Sequence, residues 1–122
     1  MRTGSQKSIR LEIRSHNVVL TGELRQHIER RIGQALDRFE QHVESVRVAI
    51  ADVNGPKGGP DKMCRVIVTV VGHDRVAITE NGASLFQTVD RVADRVKRRV
   101  SSVLDKVRHY DATRGIRTAE SS

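Results

Sequence analysis

Ile9, Leu11 and Ile13 alternate with Arg10, Glu12 and Arg14. This is the period of a half-buried strand, with apolar side chains on one face and charges on the other. Residues 15–20 read as a connector, and from Thr21 the period changes. Leu24, Ile28, Ile32, Ala35, Leu36 and Phe39 recur at helical spacing, which predicts an amphipathic helix to about Glu40. Thr21 suits its N-cap, and Glu23 puts negative charge in the first turn, where the helix dipole favours it. Val46, Val48 and Ile50 return to alternation in a second strand that runs to about Val53. Residues 54–61, Asn-Gly-Pro-Lys-Gly-Gly-Pro-Asp, form a loop by composition. The run 63–71 is dense in β-branched residues on both faces, the signature of a central strand. Gly72-His73-Asp74 is a turn, and 75–79 is a fourth strand.

The stretch 84–108 organises the rest. Ser84 followed by Gln87 is a capping-box pattern. Leu85, Val89, Val92, Ala93, Val96, Val100, Val103, Leu104 and Val107 then fall on one helical face. Beside that face Arg91, Arg95, Arg98, Arg99 and Lys106 share an arc of about 100° that holds no Asp or Glu. The acids Asp90, Asp94 and Asp105 take the other flank with Lys97 and Arg108. A merely solvated helix face mixes its signs so that i,i+4 neighbours attract. Sorting them costs a few tenths of a kcal/mol per like-charge pair, which points to a polyanion partner. In the first helix His27, Arg31, Gln34 and Arg38 form a second acid-free flank, although that helix is otherwise balanced in charge.

The order β-α-β-β-β-α predicts an α+β fold, a four-stranded mixed sheet with both helices packed on one face. If the first two strands are neighbours, the crossover through the first helix makes them parallel, and the hairpins make the others antiparallel. Residues 8–110 form one domain, with a disordered segment 1–7 before it and a mobile tail 111–122 after it. The period alone leaves open whether the two basic flanks face each other across a phosphate-gripping groove or point apart.

Composition sharpens this picture. With 2% aromatic residues the core must be aliphatic, and a formal net charge of +7 over 122 residues suits nucleic acid. A lone cysteine makes no internal disulfide and fits a reducing compartment. There is no apolar run of membrane length and no uninterrupted apolar signal core in residues 1–20, so a cytoplasmic protein without a membrane partner is expected.

Candidate chemistry is sparse. Gly55-Pro56-Lys57-Gly58 has the spacing of the KH-domain GXXG loop, but it joins strands rather than helices and reads more simply as a hairpin loop. Lys57 and Lys62 are placed to touch phosphate from there. Cys64 reads as a small buried hydrophobe. The five histidines lack metal-ligand spacing, and Asp90 and Asp94 are expected to pair with Lys97. No catalytic constellation, cofactor, metal or small-molecule substrate is indicated. Phe39 and Phe86 are assigned to the core, leaving Tyr110 alone. That disfavours base stacking and favours phosphate and shape contacts with structured RNA, for which forked arginines are suited.

The chain resembles the ribosome hibernation-promoting factor family, also called ribosome-associated inhibitor A or sigma-54 modulation proteins, in its short form. The resemblance covers about residues 8–108. It rests on the first strand and its connector into Leu20-Thr21-Gly22-Glu23-Leu24, on Asp61-Lys62-Met63-Cys64-Arg65-Val66, and on Leu85-Phe86-Gln87-Thr88-Val89-Asp90 followed by Arg95-Val96-Lys97-Arg98-Arg99. Phe86 stands where the family usually has tyrosine, and Arg99 where glutamine is common. The resemblance implies a double-stranded-RNA-binding-domain-like fold. It also implies a non-enzymatic protein that binds the small ribosomal subunit under stress or in stationary phase and blocks initiation through ribosomal RNA contacts. By position Arg91, Arg95, Arg98, Arg99 and Lys106 would be the main RNA contacts, with Arg31, Arg38, Lys62 and Arg65 secondary. A monomer is expected. The residues leave two alternatives open: a regulatory module that meets proteins of transcription, and a binder of another structured RNA.

Overall fold

The computed structural model describes residues 10–53, 61–73 and 75–121, the side chains of 106–121 excepted. The expected disordered segment 1–7 and the Gly-Pro-Lys-Gly part of the loop lie outside the described residues. The alternating stretches form β1 (Arg10–His16), β2 (Val43–Asp52), β3 (Lys62–Val70) and β4 (Val76–Gly82). They make one sheet in the order β1-β2-β3-β4. The pair β1/β2 is parallel, as the crossover through α1 (Gly22–Leu36) requires, and the other two pairs are antiparallel.

Thr21 begins α1 as expected, its Oγ1 accepting from the Leu24 N–H at 3.1 Å. The helix ends earlier than its apolar stripe suggests. From Asp37 to His42 the chain tightens into a 3-10 helix that still buries Phe39. The second helix, α2, spans Leu85–Ser121, with the Gln87 N–H donating to Ser84 Oγ at 3.4 Å. A helix ending near Arg108, with a polar tail beyond Tyr110, was expected. The backbone instead stays helical to Ser121, since no proline interrupts it and extending a helix is far easier than nucleating one.

Both helices lie on one face of the sheet and share a single aliphatic core. Val46, Val48 and Ile50 of β2 and Cys64, Val66 and Val68 of β3 meet Ile28, Ile32 and Leu36 of α1 and Val89, Val92, Val96 and Val100 of α2. Burial in this core pushes the Cys64 thiol up to about 12, so the cysteine behaves as an unreactive hydrophobe. Phe86 departs from expectation. It is 41% exposed, and its ring lies against His27 of α1 at 4.9 Å. It sits on the border of the apolar arc, where α1 offers a polar ring rather than core.

Two contacts set how α2 is seated. On its α1 side, Asp90 Oδ1 accepts from Arg31 Nε and from His27 Nε2, each at 2.8 Å, and Arg31 Nη2 reaches Asp94 Oδ1 at 3.4 Å. The acids therefore pair across the helix interface rather than with Lys97, the expected partner. On its β4 side the chain comes very close. A Cβ on Gly82 would sit 2.6 Å from Thr88 Oγ1 and 2.6 Å from Arg91 Nη2. Thr88 is fully buried and donates to Ser84 O at 2.7 Å, so it cannot move away easily.

Gly82→Ala is expected to destabilise the domain by about 1–3 kcal/mol through overpacking, read as a lower midpoint in urea denaturation; an unchanged midpoint would show that Thr88 yields freely. Partial burial alone would raise the Asp90 carboxyl, but the hydrogen bonds from Arg31 and His27 more than offset it and hold the group below its ordinary 3.8. A depressed native pKa means that the unfolded chain binds more protons, so this contribution is complete above about pH 3.8 and fades as the pH falls below it. Because the pair is half-exposed, Asp90→Asn is expected to cost about 1 kcal/mol or less at pH 7. The gap between wild type and variant should narrow at pH 3, and a gap independent of pH would contradict the ionised clamp.

Candidate nucleic-acid interface

The charge sorting seen in the sequence becomes two different surfaces. Two acids of the acidic flank of α2, Asp90 and Asp94, pair with α1, and the two helices run side by side in the same direction, His27 opposite Asp90 and Arg38 beside residues 94–105. The basic flank of α2 meets that of α1 only where Arg98 shares a groove with Arg38. It turns to the β4 edge, where Arg95, Arg98, Arg99 and Ser102 line a shallow hollow with Ile78. Opposite charges attract across the helix interface, so the α1 flank is spent on the acids of α2 while most of the α2 arginines lie towards β4.

Along the β4 edge the four arginines divide into two kinds. Arg91 and Arg95 are struts. Arg91 Nη2 donates to Asn81 O at 2.8 Å, and Arg95 Nη1 donates to Thr79 O at 3.3 Å and to Glu80 Oε2 at 2.6 Å. Arg91 also lies 3.5 Å from Glu80 Oε1. The hydrogen bond from Arg95, helped by Arg91, holds the Glu80 carboxyl below its ordinary value. These contacts occupy two carbonyls on the outer edge of β4, which an intruding strand would otherwise use. Arg98 and Arg99, by contrast, are exposed and form no ion pair with any described residue. Their guanidinium forks are open to an outside anion.

Of the secondary candidates, only Arg38 adjoins this surface, through Arg98. Arg31 is partly buried in the clamp, and the hydrogen bond from its guanidinium to Asp90 holds its proton more tightly than usual. Lys62 is held by Asp61 at 3.2 Å and by Asp52 at 3.3 Å. Arg38 stands 5.5 Å over the Phe39 ring, in a groove that it shares with Lys97, Arg98 and Asp105. Arg65 is exposed on the opposite face of the sheet. The side chain of Lys106 lies outside the described residues, as does Lys57.

Sequence reasoning missed Glu80 and Gly82. The fourth strand was expected to end at Thr79; β4 instead runs to Gly82, which puts Glu80 on the inward face beside Arg91 and Arg95. Among the described residues no group of three or more His, Cys, Asp or Glu side chains could hold a metal ion. No described helix is long and apolar enough to cross a membrane.

The chain is 24% identical over 106 residues to the chloroplast ribosome-binding factor PSRP1 of Spinacia oleracea. That alignment takes in 85% of this chain but 35% of the relative, so the chain spans about a third of that protein's length. The fold matches the N-terminal domain of Protein Y from Thermus thermophilus, with TM-score 0.64 and 22% identity over 79% of this chain and 99% of that one. It also matches a ribosomal subunit interface protein from Coxiella burnetii, with TM-score 0.67 and 12% identity over 80% of this chain and 99% of that one. Residues 11–108 match the family described as Sigma 54 modulation protein / S30EA ribosomal protein. That match reaches from β1 into α2 and takes in the whole sheet, and the chain belongs to this family.

Proposed function

We propose that this domain binds the small ribosomal subunit through its ribosomal RNA, one copy per subunit, and restrains translation by occupying RNA-binding surface that messenger and transfer RNA need. The single observation that carries the reading is the exposed pair Arg98 and Arg99, without an ion-pair partner among the described residues, beside the satisfied struts Arg91 and Arg95. Arginines gathered on one helix flank with no ion pair to any described residue are explained by an external phosphate. The name of the spinach relative, a ribosome-binding factor, and that of the Coxiella protein support the same partner. Phe86 is the one exposed phenylalanine, and it is engaged with His27. Contact by phosphate and shape therefore fits the surface better than base stacking does.

The test is co-sedimentation with purified small ribosomal subunits across a salt series, comparing wild type with Arg98→Glu/Arg99→Glu. Arg95 is left intact because its loss would also release Glu80. Wild-type binding should weaken steeply with salt. Losing two charge-assisted bonds of roughly 1.5–3 kcal/mol each should weaken binding by at least about tenfold while thermal stability is kept. A folded double variant with full affinity would refute the reading. Binding partners that survive nuclease treatment would favour a protein-directed regulator instead.

A further inference from the structure

The sheet has a second face that neither helix covers. Strand alternation sends Arg10, Arg14, Arg47 and Arg65 onto it, all exposed. Glu12 stands among them, 3.2 Å from Arg14 and 3.7 Å from Arg47, so the arginines outnumber their acid. Arg10 and Arg65 form no ion pair with any described residue. Like charges gathered on a sheet face repel by a few tenths of a kcal/mol or more per close pair, and an open face of a soluble strand pair usually mixes its signs.

The register gives this cluster a direction. Arg14 pairs with Ala49, Ala49 with Arg65, and Arg65 with Thr79, in one row straight across the sheet. At about 4.8 Å between strands, Arg14 and Arg65 stand about 10 Å apart. Ala49 and Ile67 line a hollow between Arg14, Arg47 and Arg65, with Glu12 as its one acid. The row ends at Thr79, whose carbonyl takes the hydrogen bond from Arg95 at 3.3 Å. Basic side chains therefore continue from the open face, round the β4 edge and onto the exposed crest of α2.

We propose that the open sheet face is a second arm of the RNA-binding surface. An RNA phosphate backbone crosses the sheet along the Arg14–Arg65 row, and the domain thereby grips RNA on two sides rather than on α2 alone. Charge complementarity selects a polyanion. The row of guanidiniums, with no described Phe, Tyr or Trp beside it, selects phosphate rather than bases. The inference rests on the RNA reading of α2, and the experiment separates the two.

Full-length wild type, Arg14→Glu/Arg65→Glu, Arg98→Glu/Arg99→Glu and the control Arg25→Glu/Arg30→Glu are titrated against small ribosomal subunits at several salt concentrations. The control makes the same change of net charge on the exposed side of α1. The sheet variant should bind at least tenfold more weakly. Its slope of log affinity against log salt should be shallower by about 1.4–1.8, the equivalent of two phosphate contacts. Arg14→Gln/Arg65→Gln, which adds no repulsion, should shift both quantities in the same direction, and circular dichroism should show all variants folded. A sheet variant no weaker than the control, while the α2 variant loses binding, overturns the second arm and leaves the α2 reading standing. Retained affinity in both variants overturns both. A loss seen with intact subunits but not with their deproteinised RNA would mean that the face meets a ribosomal protein, and would overturn the RNA assignment.

Discussion

The ion-pair seam between α1 and α2 decides what this domain presents to its surroundings. An aliphatic helix face constrains burial but not which polar flank points where, because Val and Leu tolerate a rotation of the helix that still buries them. Asp90 removes that freedom by accepting from both Arg31 and His27 of α1 at 2.8 Å. With Asp90 and Asp94 committed to that interface, Arg91, Arg95 and Arg99 lie towards the β4 edge. The seam is only partly buried, so its worth in stability is modest. Its consequence is orientation: it converts a sorted helix into a one-sided basic surface.

At the β4 edge the same residue type does two jobs. Arg91 and Arg95 reach back to strand carbonyls and to Glu80, closing an edge that would otherwise be open to pairing with another chain. Gly82 is what lets Arg91 and Thr88 come so near the strand. Two turns of helix carry the transition from strut to free fork, since Arg98 and Arg99 have no intramolecular partner among the described residues. A basic helix face is therefore not uniformly available, and counting its charges overstates what a phosphate can reach.

Much of this was legible in the sequence, for physical reasons that differ by element. The strand and helix periods placed all four strands and both helices, because one-sided burial imposes the pattern directly. The Thr21 cap was visible because its chemistry is local. Long-range partners were not visible. Asp90 and Asp94 were assigned to Lys97, one turn away, and instead pair with Arg31 more than fifty residues earlier. Phe86 was assigned to the core on composition, yet it sits exposed beside His27. The end of α2 was misplaced because nothing in residues 109–121 stops a helix that is already propagating. Among the site residues the four α2 arginines fall together, whereas Arg31 and Lys62 are consumed by ion pairs and Arg65 lies behind the sheet.

The central claim is that the arginine flank of α2, turned outward by the seam with α1, is what meets ribosomal RNA. A cryo-electron-microscopy structure of the domain bound to the small ribosomal subunit tests it most directly. The account predicts the Arg98 and Arg99 guanidiniums within hydrogen-bond distance of RNA phosphates, with the Arg31–Asp90 seam intact. A complex in which that flank faces solvent, or in which α2 has rotated and the seam has broken, would contradict it.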